Sequence, residues 1–214
     1  MSPILPHLRR TVNPEMIKLL IATNNPAKLR EYREILRDLP LVLTSLAQEG
    51  IDLVVKERGR SYAENAISKA RAYARASGLL TLADDSGLEV EALDGEPGIF
   101  SSRYGGPGAS DEKRNQFLLH RLQGIPWERR RARFRCTIAI ATPEGEVQIV
   151  EGTCEGVIAL EPRGKHGFGY DPIFYLPQCG CTMAELPPEV KNRISHRAQA
   201  AQKAKRILNR MLER

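Results

Sequence analysis

Apolar residues occur along this chain in short continuous runs and in stripes at helical spacing. Residues 17–22 form an apolar run broken only by Lys18, which predicts a buried strand. Apolar residues then recur three or four positions apart over residues 29–39, which predicts a helix with Asn25 as its N-cap and Pro26 in its first turn. A strand, a polar loop and a helix in this order open many α/β folds.

The rest of the chain alternates between strand-like and helix-like segments. Ser61, Ser110 and Ser195 each precede an apolar stripe at helical spacing, so three further helices are predicted behind them. Short apolar or alternating runs predict strands at residues 41–43, 51–55, 79–83, 88–92, 134–140, 147–150 and 157–160. A turn at residues 143–145 joins two of these strands as a hairpin, so the sheet is expected to mix parallel and antiparallel pairs.

Length and composition are typical of one globular domain. The chain has 214 residues, of which 42% are hydrophobic and 27% are charged. No apolar run approaches the length of a membrane span, and the net charge of +6 favours anionic ligands such as nucleotides or nucleic acid. Three prolines among the first fifteen residues predict a flexible extension at 1–15 and a folded domain at 16–214, with Met16 a candidate initiator.

The four cysteines do not form a metal-binding or disulfide pattern. Cys179 and Cys181 are two positions apart, but no second Cys or His pair follows at zinc-site spacing. Reduced thiols in a cytoplasmic protein are therefore expected.

The pair Asp84-Asp85 is the first candidate for chemistry. It is expected to end the strand at residues 79–83, with Ser86-Gly87 forming a turn. Adjacent carboxylates at such a position suit a divalent cation and an activated water. Glu57 and Glu64 could join this set, although Glu64 already fits a capping box with Ser61, and a surface position would explain Glu57.

Two further segments have features of a phosphate or base site. The loop at residues 23–28 precedes a helix N-terminus, which favours an anion, and Lys28 adds a full charge. Phe168 lies in a glycine-rich loop and could stack on a base. A solvated cap and aromatic residues packed in the core are the ordinary alternatives. His196 and Arg197 begin the last helix, where cations oppose the helix dipole unless an anion or an electron-rich ring is bound.

Arg129 to Arg135 form a basic run close to Trp127. A nucleic-acid surface is one interpretation of this run. Charged residues on a loop that leads into an edge strand are the other.

Seven segments, in order, resemble the inosine triphosphate pyrophosphatase family, also described as non-canonical purine nucleoside triphosphate pyrophosphatases. The resemblance extends roughly from Ile17 to the C-terminus and is closest to the bacterial branch. The matching segments are ATNNPAK at residues 22–28, YAENAISK at 62–69, ADDSGL at 83–88, PGIFSSRY at 97–104, GFGYDPIF at 167–174, AEL at 184–186 and ISHR at 194–197.

The resemblance implies a fold, a reaction and an assembly. The implied fold is an elongated two-lobed α/β fold with a long mixed β-sheet flanked by helices and a central nucleotide cleft. The implied reaction is Mg²⁺-dependent hydrolysis of ITP, dITP and XTP to the monophosphate and pyrophosphate. A homodimer is also implied.

The resemblance also suggests roles for individual residues. Asp85 would be the general base and a metal ligand, Glu57 the second metal ligand, and Asp84 and Lys69 would complete the catalytic set. Lys69 would also contact the triphosphate. The implied substrate-binding residues are Thr23, Asn24, Asn25, Pro26, Ala27 and Lys28 at the triphosphate, Ser86, and Phe168, Gly169, Tyr170, Asp171, Lys191, His196 and Arg197 at the base and sugar.

Two alternatives remain open at this point. One is a nucleic-acid-binding module that uses the run from Arg129 to Arg135. The other is a related pyrophosphatase that acts on modified pyrimidine nucleotides.

Overall fold

The computed structural model describes residues 16–213, so the extension predicted at residues 1–15 lies outside the described part. Its seven strands are β1 (Lys18–Ile21), β2 (Val42–Ser45), β3 (Leu80–Val90), β4 (Arg131–Ala141), β5 (Val147–Ile158), β6 (Phe174–Leu176) and β7 (Cys181–Thr182). Its α-helices are α1 (Pro26–Ile35), α2 (Tyr62–Ser77), α3 (Asp111–Arg121), α4 (Pro188–Ile194) and α5 (His196–Leu212). None of the helices in the described residues is long and apolar enough to cross a membrane.

The strands form one sheet in the order β2-β1-β3-β4-β5-β6-β7. Strand β1 runs parallel to β2 and β3, whereas the remaining pairs are antiparallel, so the predicted mixed sheet is confirmed. Strand β3 pairs with β1 only over Leu80 to Leu82, but with β4 from Thr81 to Val90. The second half of β3 therefore has an edge that faces the loop at residues 23–28.

Three apolar clusters form the core. Helices α1 and α5 cover one face of the sheet in the α5 cluster, which includes Leu19, Tyr32, Leu82, Ile138 and Ala204. Helix α2 covers the other face in the α2 cluster, which includes Leu20, Ala66, Ala83 and Ala139. The distal cluster lies further along the sheet and includes Leu88, Leu118, Phe134, Phe174 and Met183. The α5 and α2 clusters build one lobe, and the distal cluster builds the other.

Side-chain caps position the helices, as predicted. The Asn25 side chain accepts hydrogen bonds from the backbone N–H groups of Ala27 and Lys28, at 2.9 and 3.2 Å. Ser61, Ser110 and Ser195 likewise accept from the third residue of their helices. The capping box at Ser61 is only half formed, because the Glu64 carboxylate accepts from the Arg60 N–H instead.

Three strand predictions are wrong. Residues 51–55 have no regular secondary structure, because Ile51 and Val55 pack against the α2 cluster rather than joining the sheet. Asp84-Asp85 does not end a strand and Ser86-Gly87 is not a turn, because β3 continues through all four residues in register with β4. The strands at 147–150 and 157–160 are parts of one strand, β5.

Strand β5 is continuous because it pairs with β4 without a break from Val147 to Val157, and two of its glycines permit close packing by neighbouring elements. A Cβ atom on Gly152 would clash with the backbone of α5 at the His196 carbonyl and the Ala200 nitrogen. A Cβ atom on Gly156 would come within 2.6 Å of the Phe174 ring. Glycine is needed at both positions so that α5 and β6 can pack closely on this strand. Strands β6 and β7 and helix α4 were not predicted from the sequence pattern.

Candidate functional site

A cleft of about 250 Å³ lies between the two lobes. The α1 N-terminus, the middle of β3, the glycine-rich loop at residues 164–171 and the α5 N-terminus all line it. The predicted site residues in this lining are Asn25, Lys28, Glu57, Asp85, Ser86, Phe168, Gly169, Tyr170, Asp171, Lys191, His196 and Arg197. Their roles remain predictions.

Six predicted residues are not in the lining. Asp84 and Lys69 lie behind it and bond to residues that are. Thr23, Asn24, Pro26 and Ala27 shape the loop: the Thr23 hydroxyl accepts a hydrogen bond from the Asn25 N–H at 3.2 Å, and Pro26 begins α1. From this segment, only Asn25 and Lys28 line the cleft in the described residues.

The two adjacent carboxylates point to opposite faces of the sheet, because successive residues of a strand alternate. Asp84 points toward α1 and α5, where its Oδ2 lies 2.8 Å from Lys28 Nζ and 3.7 Å from Arg197 Nε. Burial alone would raise the pKa of Asp84, but Lys28, Arg197 and Lys69 outweigh it and hold the pKa well below its usual value. Asp84 is therefore an ionised anchor for two cations.

Asp85 points toward α2 and the cleft. Its Oδ2 accepts a hydrogen bond from Asn65 Nδ2 at 2.9 Å, and its Oδ1 lies 3.7 Å from Lys69 Nζ. Burial raises the pKa of Asp85 above the usual value even though Lys69 and Asn65 oppose that shift. A carboxylate with a raised pKa takes up a proton more readily, which suits a general base.

Glu57 and Asp85 converge on one ammonium group. Lys69 Nζ lies 2.6 Å from Glu57 Oε1 and 3.7 Å from Asp85 Oδ1. Within residues 16–213 no group of three or more His, Cys, Asp or Glu side chains is arranged to hold a metal ion. Two carboxylates facing one cleft do fit a hard divalent cation, which completes its coordination with water and substrate oxygens.

Asn65 is bonded to a cleft residue and was not predicted from the sequence. Its Oδ1 accepts from the Gly59 N–H at 2.8 Å while its Nδ2 donates to Asp85, so it ties the Glu57 segment to β3. A Cβ atom on Gly59 would lie 2.7 Å from this Oδ1, so glycine permits the close approach. The signal in the sequence was a polar residue directly beside the apolar stripe of α2.

Aromatic rings and cations form the other end of the cleft. The His196 ring stacks on Phe134 with the ring centroids 4.6 Å apart. Burial, and then the nearby Arg197 and Lys191, lower the pKa of His196 well below its usual value, so the imidazole is neutral. Lys191 Nζ lies 4.7 Å and Arg197 Cζ 5.4 Å from the centre of the Phe168 ring. An aromatic ring flanked by donors suits a polar purine.

Glu31, also missed from the sequence, holds these cations in place. Its two carboxylate oxygens lie 2.9 Å from Lys191 Nζ and 2.6 Å from Arg197 Nη1. Burial opposes ionisation, yet the two cations lower the pKa of Glu31. Arg197 also donates to the Ser86 hydroxyl at 3.1 Å. Glu31 follows Lys28 by three positions on α1, so a shared helix face was the available signal.

The glycine-rich loop is fixed by its own polar groups. The buried Asp171 carboxylate accepts from the Phe168 N–H at 2.9 Å and pairs with Lys191, and burial still raises its pKa. Tyr170 is buried and donates its hydroxyl to the Ser101 carbonyl at 2.9 Å, so its bonding is that of a core aromatic residue at the cleft wall. Of the Phe168 and Tyr170 rings, that of Phe168 is the one that is partly exposed.

Three of the five arginines in the basic run, Arg130, Arg133 and Arg135, are paired or buried, whereas Arg129 and Arg131 are exposed. Arg133 Nε lies 2.6 Å from Glu89 Oε2, and Arg135 pairs with Glu89 and Glu151 across neighbouring strands. Arg130 is buried and donates to the Leu122 and Ala159 carbonyls. The expected edge strand is also wrong, because β4 lies between β3 and β5. Nothing in this arrangement favours the nucleic-acid alternative.

Known proteins resemble this chain over most of its length. The model of the Ham1 family matches residues 19–207. The dITP/XTP pyrophosphatase of Desulforamulus reducens is 49% identical over 91% of this chain and 97% of its own, and that of Geobacter sulfurreducens is 50% identical over 86% and 93%.

Solved structures of similar proteins have the same fold. A HAM1 protein from Coxiella burnetii superposes with a TM-score of 0.83 at 44% identity, covering 91% of this chain and 100% of that one. The Staphylococcus aureus Ham1 protein gives a TM-score of 0.80 at 42% identity, covering 90% and 98%. The resemblance seen in the sequence is therefore confirmed, and the chain belongs to the Ham1 family.

Proposed function

We propose that this protein is a Mg²⁺-dependent pyrophosphatase that hydrolyses ITP, dITP and XTP to the nucleoside monophosphate and pyrophosphate, and so cleanses the nucleotide pool. One observation carries the proposal: a single cleft has lysines and carboxylates at one end and an aromatic ring flanked by cations at the other. The name dITP/XTP pyrophosphatase, given to relatives about half identical to this chain, adds the substrate class.

The reaction follows from the residues at the carboxylate end. Asp85 and Glu57 would hold Mg²⁺, which when bound withdraws charge from the phosphate oxygens. Asp85, with its raised pKa, takes a proton from the water that attacks the α-phosphorus. The new bond joins the water oxygen to this phosphorus, the bond to the bridging oxygen of the β-phosphate breaks, and pyrophosphate leaves. Lys28 and Lys69 stabilise the negative charge of the phosphate chain.

Selection of the base follows from the other end of the cleft. Lys191 and Arg197 supply N–H donors beside the Phe168 ring. A 6-oxo group on a purine accepts such bonds, whereas a 6-amino group leaves buried donors unpaired and is rejected. Thr23 to Ala27 and Ser86 would position the triphosphate and sugar.

A panel of nucleoside triphosphates, assayed for pyrophosphate release with and without EDTA, tests the proposal. ITP, dITP and XTP should be hydrolysed with Mg²⁺ and not with EDTA, and ATP should react much more slowly. Equal kcat/KM for ITP and ATP would refute the purine selectivity. Preferential hydrolysis of modified pyrimidine triphosphates would support the related pyrophosphatase instead.

The assembly, location and domain limits belong to the same proposal. A homodimer should elute with a light-scattering mass of about twice the 23.9 kDa of one chain. A cytoplasmic location would place the enzyme beside the nucleotide pool on which it acts. A chain that starts at Met16 should keep full activity if residues 16–214 form the catalytic domain, and loss of activity in that chain would contradict this limit.

A further inference from the structure

Four charged side chains of alternating sign form a row at the carboxylate end of the cleft, where Glu57 and Asp85 belong to the lining and Lys69 lies behind them. Arg103 Nη1 lies 3.7 Å from Glu57 Oε2, Lys69 Nζ lies 2.6 Å from Glu57 Oε1, and Asp85 Oδ1 lies 3.7 Å from Lys69 Nζ. The exposed fractions of the side chains fall along this row, from 44% for Arg103 and 25% for Glu57 to 13% for Lys69 and 8% for Asp85. Arg103 is thus the most exposed member, and it directly follows Ser101 and Ser102, which line the cleft.

Arg103 is held loosely compared with a neighbouring arginine. Its contact with Glu57 is longer than a hydrogen bond, and its guanidinium otherwise lies 5.0 Å from the centre of the Phe100 ring, itself exposed. Arg114, which lines the cleft, is bonded to Asp111 and to two backbone carbonyls. The guanidinium of Arg103 therefore has N–H donors available for a ligand, whereas that of Arg114 is engaged in hydrogen bonds within the protein.

The partner of Arg103 is the carboxylate that a divalent ion would take. Lys69 and Arg103 contact the two oxygens of Glu57, so a cation bound at Glu57 competes with both side chains. A guanidinium displaced from a carboxylate regains free N–H donors, and its planar fork matches two oxygens of a phosphate chain. Under the proposed function the phosphate chain extends from Asp85 toward the exposed end of this row, so its terminal part is the anion that Arg103 would meet.

We propose that Arg103 is a binding residue for the leaving pyrophosphate, paired with Glu57 in the free protein and with the β- and γ-phosphate oxygens in the loaded protein. This inference rests on the proposed function. It assigns to the 3-10 helix Gly98–Arg103 a direct contact with the product that leaves.

Titration calorimetry of the full chain with inorganic pyrophosphate and Mg²⁺ tests the inference without turnover. Arg103→Ala should weaken pyrophosphate binding about 10-fold, the effect of losing charge-assisted hydrogen bonds at a half-exposed site. Arg103→Lys should recover only part of that loss, because an ammonium lacks the fork. Arg121→Ala is the matched control: Arg121 is 40% exposed and paired with Glu96, away from the cleft, and its loss should leave binding unchanged.

Product inhibition separates the two ends of the cleft. During ITP hydrolysis, Arg103→Ala should raise the inhibition constant of pyrophosphate about 10-fold and leave that of IMP unchanged, because IMP lacks the β- and γ-phosphates that Arg103 would contact. An equal effect on both products would overturn the assignment.

The exchange of partners has its own test in EDTA. Glu57→Gln should strengthen metal-free pyrophosphate binding, and the gain should be smaller in Glu57→Gln/Arg103→Ala if Arg103 is the group released. Additive effects of the two substitutions would contradict the exchange.

The outcomes for the two proposals differ. If the wild type hydrolyses ITP and binds pyrophosphate, but Arg103→Ala binds it equally well, the role of Arg103 is refuted and the function stands. If the wild type neither hydrolyses the panel nor binds pyrophosphate, both proposals fail.

Discussion

At the residue scale, strand alternation gives different environments to two carboxylates that are adjacent in the sequence. Asp84 is compensated by Lys28 and Arg197, and its pKa falls. Burial removes solvent from Asp85, and the interactions with Lys69 and Asn65 do not fully offset this, so its pKa rises. The first therefore contributes to stability as an ionised partner, whereas the ionised form of the second is disfavoured by its burial, which is the property expected of the general base proposed above.

We expect Asp85→Asn to separate activity from stability. The variant should lose about three orders of magnitude in kcat, the scale of removing a key electrostatic group. Because a raised pKa means that the ionised form destabilises the fold at neutral pH, its free energy of unfolding should stay the same or increase. Steady-state kinetics and urea denaturation measure both quantities. A kcat close to that of the wild type would contradict the role of Asp85.

Asp84→Asn is expected to show the opposite balance. It leaves Lys28 and Arg197 without their carboxylate in a buried site, which should cost about 3–5 kcal/mol of unfolding free energy. The stabilisation from Asp84 is present above the pKa of an unfolded aspartate and is lost as the pH falls below about 3.9. Urea denaturation at pH 7 provides the measurement. A loss no larger than that in Asp85→Asn would contradict the assignment.

His196 provides a prediction in a different pH range. Its pKa is lowered in the fold, so the unfolded chain binds a proton that the folded chain does not, and stability is lost as the pH falls. We compare the unfolding free energy of the wild type with that of His196→Asn at pH 7.5 and at pH 5.5. For each pH unit below 6.5, the wild type should lose about 1.4 kcal/mol more than the variant. Urea denaturation at both pH values gives the comparison, and equal losses would show that the buried imidazole does not titrate as proposed.

At the element scale, the position of α5 depends on one residue of β5. Helix α5 begins with His196 and Arg197, and its backbone lies against Gly152. The packing of this helix therefore sets the position of two side chains of the cleft, although β5 itself does not line it.

Gly152→Ala should shift the start of α5. We expect a loss of about 1–3 kcal/mol in unfolding free energy from overpacking, together with a higher KM for ITP. Thr153→Ala is the control, because Thr153 is exposed and points away from α5. Denaturation and steady-state kinetics measure both effects. An unchanged KM in a destabilised Gly152→Ala variant would show that α5 keeps its position.

The features that could be predicted from the sequence are those in which the interacting residues are close together along the chain. Caps at Asn25, Ser61 and Ser195 bond within three residues, so local patterns were sufficient. The continuation of β3 through Asp84 depends on pairing with Ile138, and the role of Glu31 depends on Arg197. Because these partners are more than fifty positions apart in the sequence, their pairing leaves no local pattern of apolar and polar residues. The motifs pointed to a cleft only because they resemble those of a known family. They could not show which side chains of the cleft form ion pairs or hydrogen bonds with one another.

At the scale of the whole molecule, the cleft takes residues from both lobes, so ligands should stabilise the entire fold. Pyrophosphate and Mg²⁺ added together at 100 times the dissociation constant should raise the unfolding free energy by about 2.7 kcal/mol. Asp85→Asn should lose the part of this gain that depends on Mg²⁺. Denaturation with each ligand alone and with both tests this. A gain from Mg²⁺ and pyrophosphate as large in Asp85→Asn as in the wild type would contradict metal binding at Asp85.

Strand β3 belongs to both lobes. Leu82 packs in the α5 cluster and Leu88 in the distal cluster, with Asp85 midway between them. Strand β4 joins the lobes in the same way, since Ile138 packs in the α5 cluster and Phe134 in the distal cluster, and the two strands are paired from Thr81 to Val90. A ladder of backbone hydrogen bonds therefore connects the lobes, and Asp85 lies in its middle. If Asp85 acts as proposed, its backbone is fixed by a paired strand rather than by a loop, which keeps the carboxylate at a constant place between the two ends of the cleft.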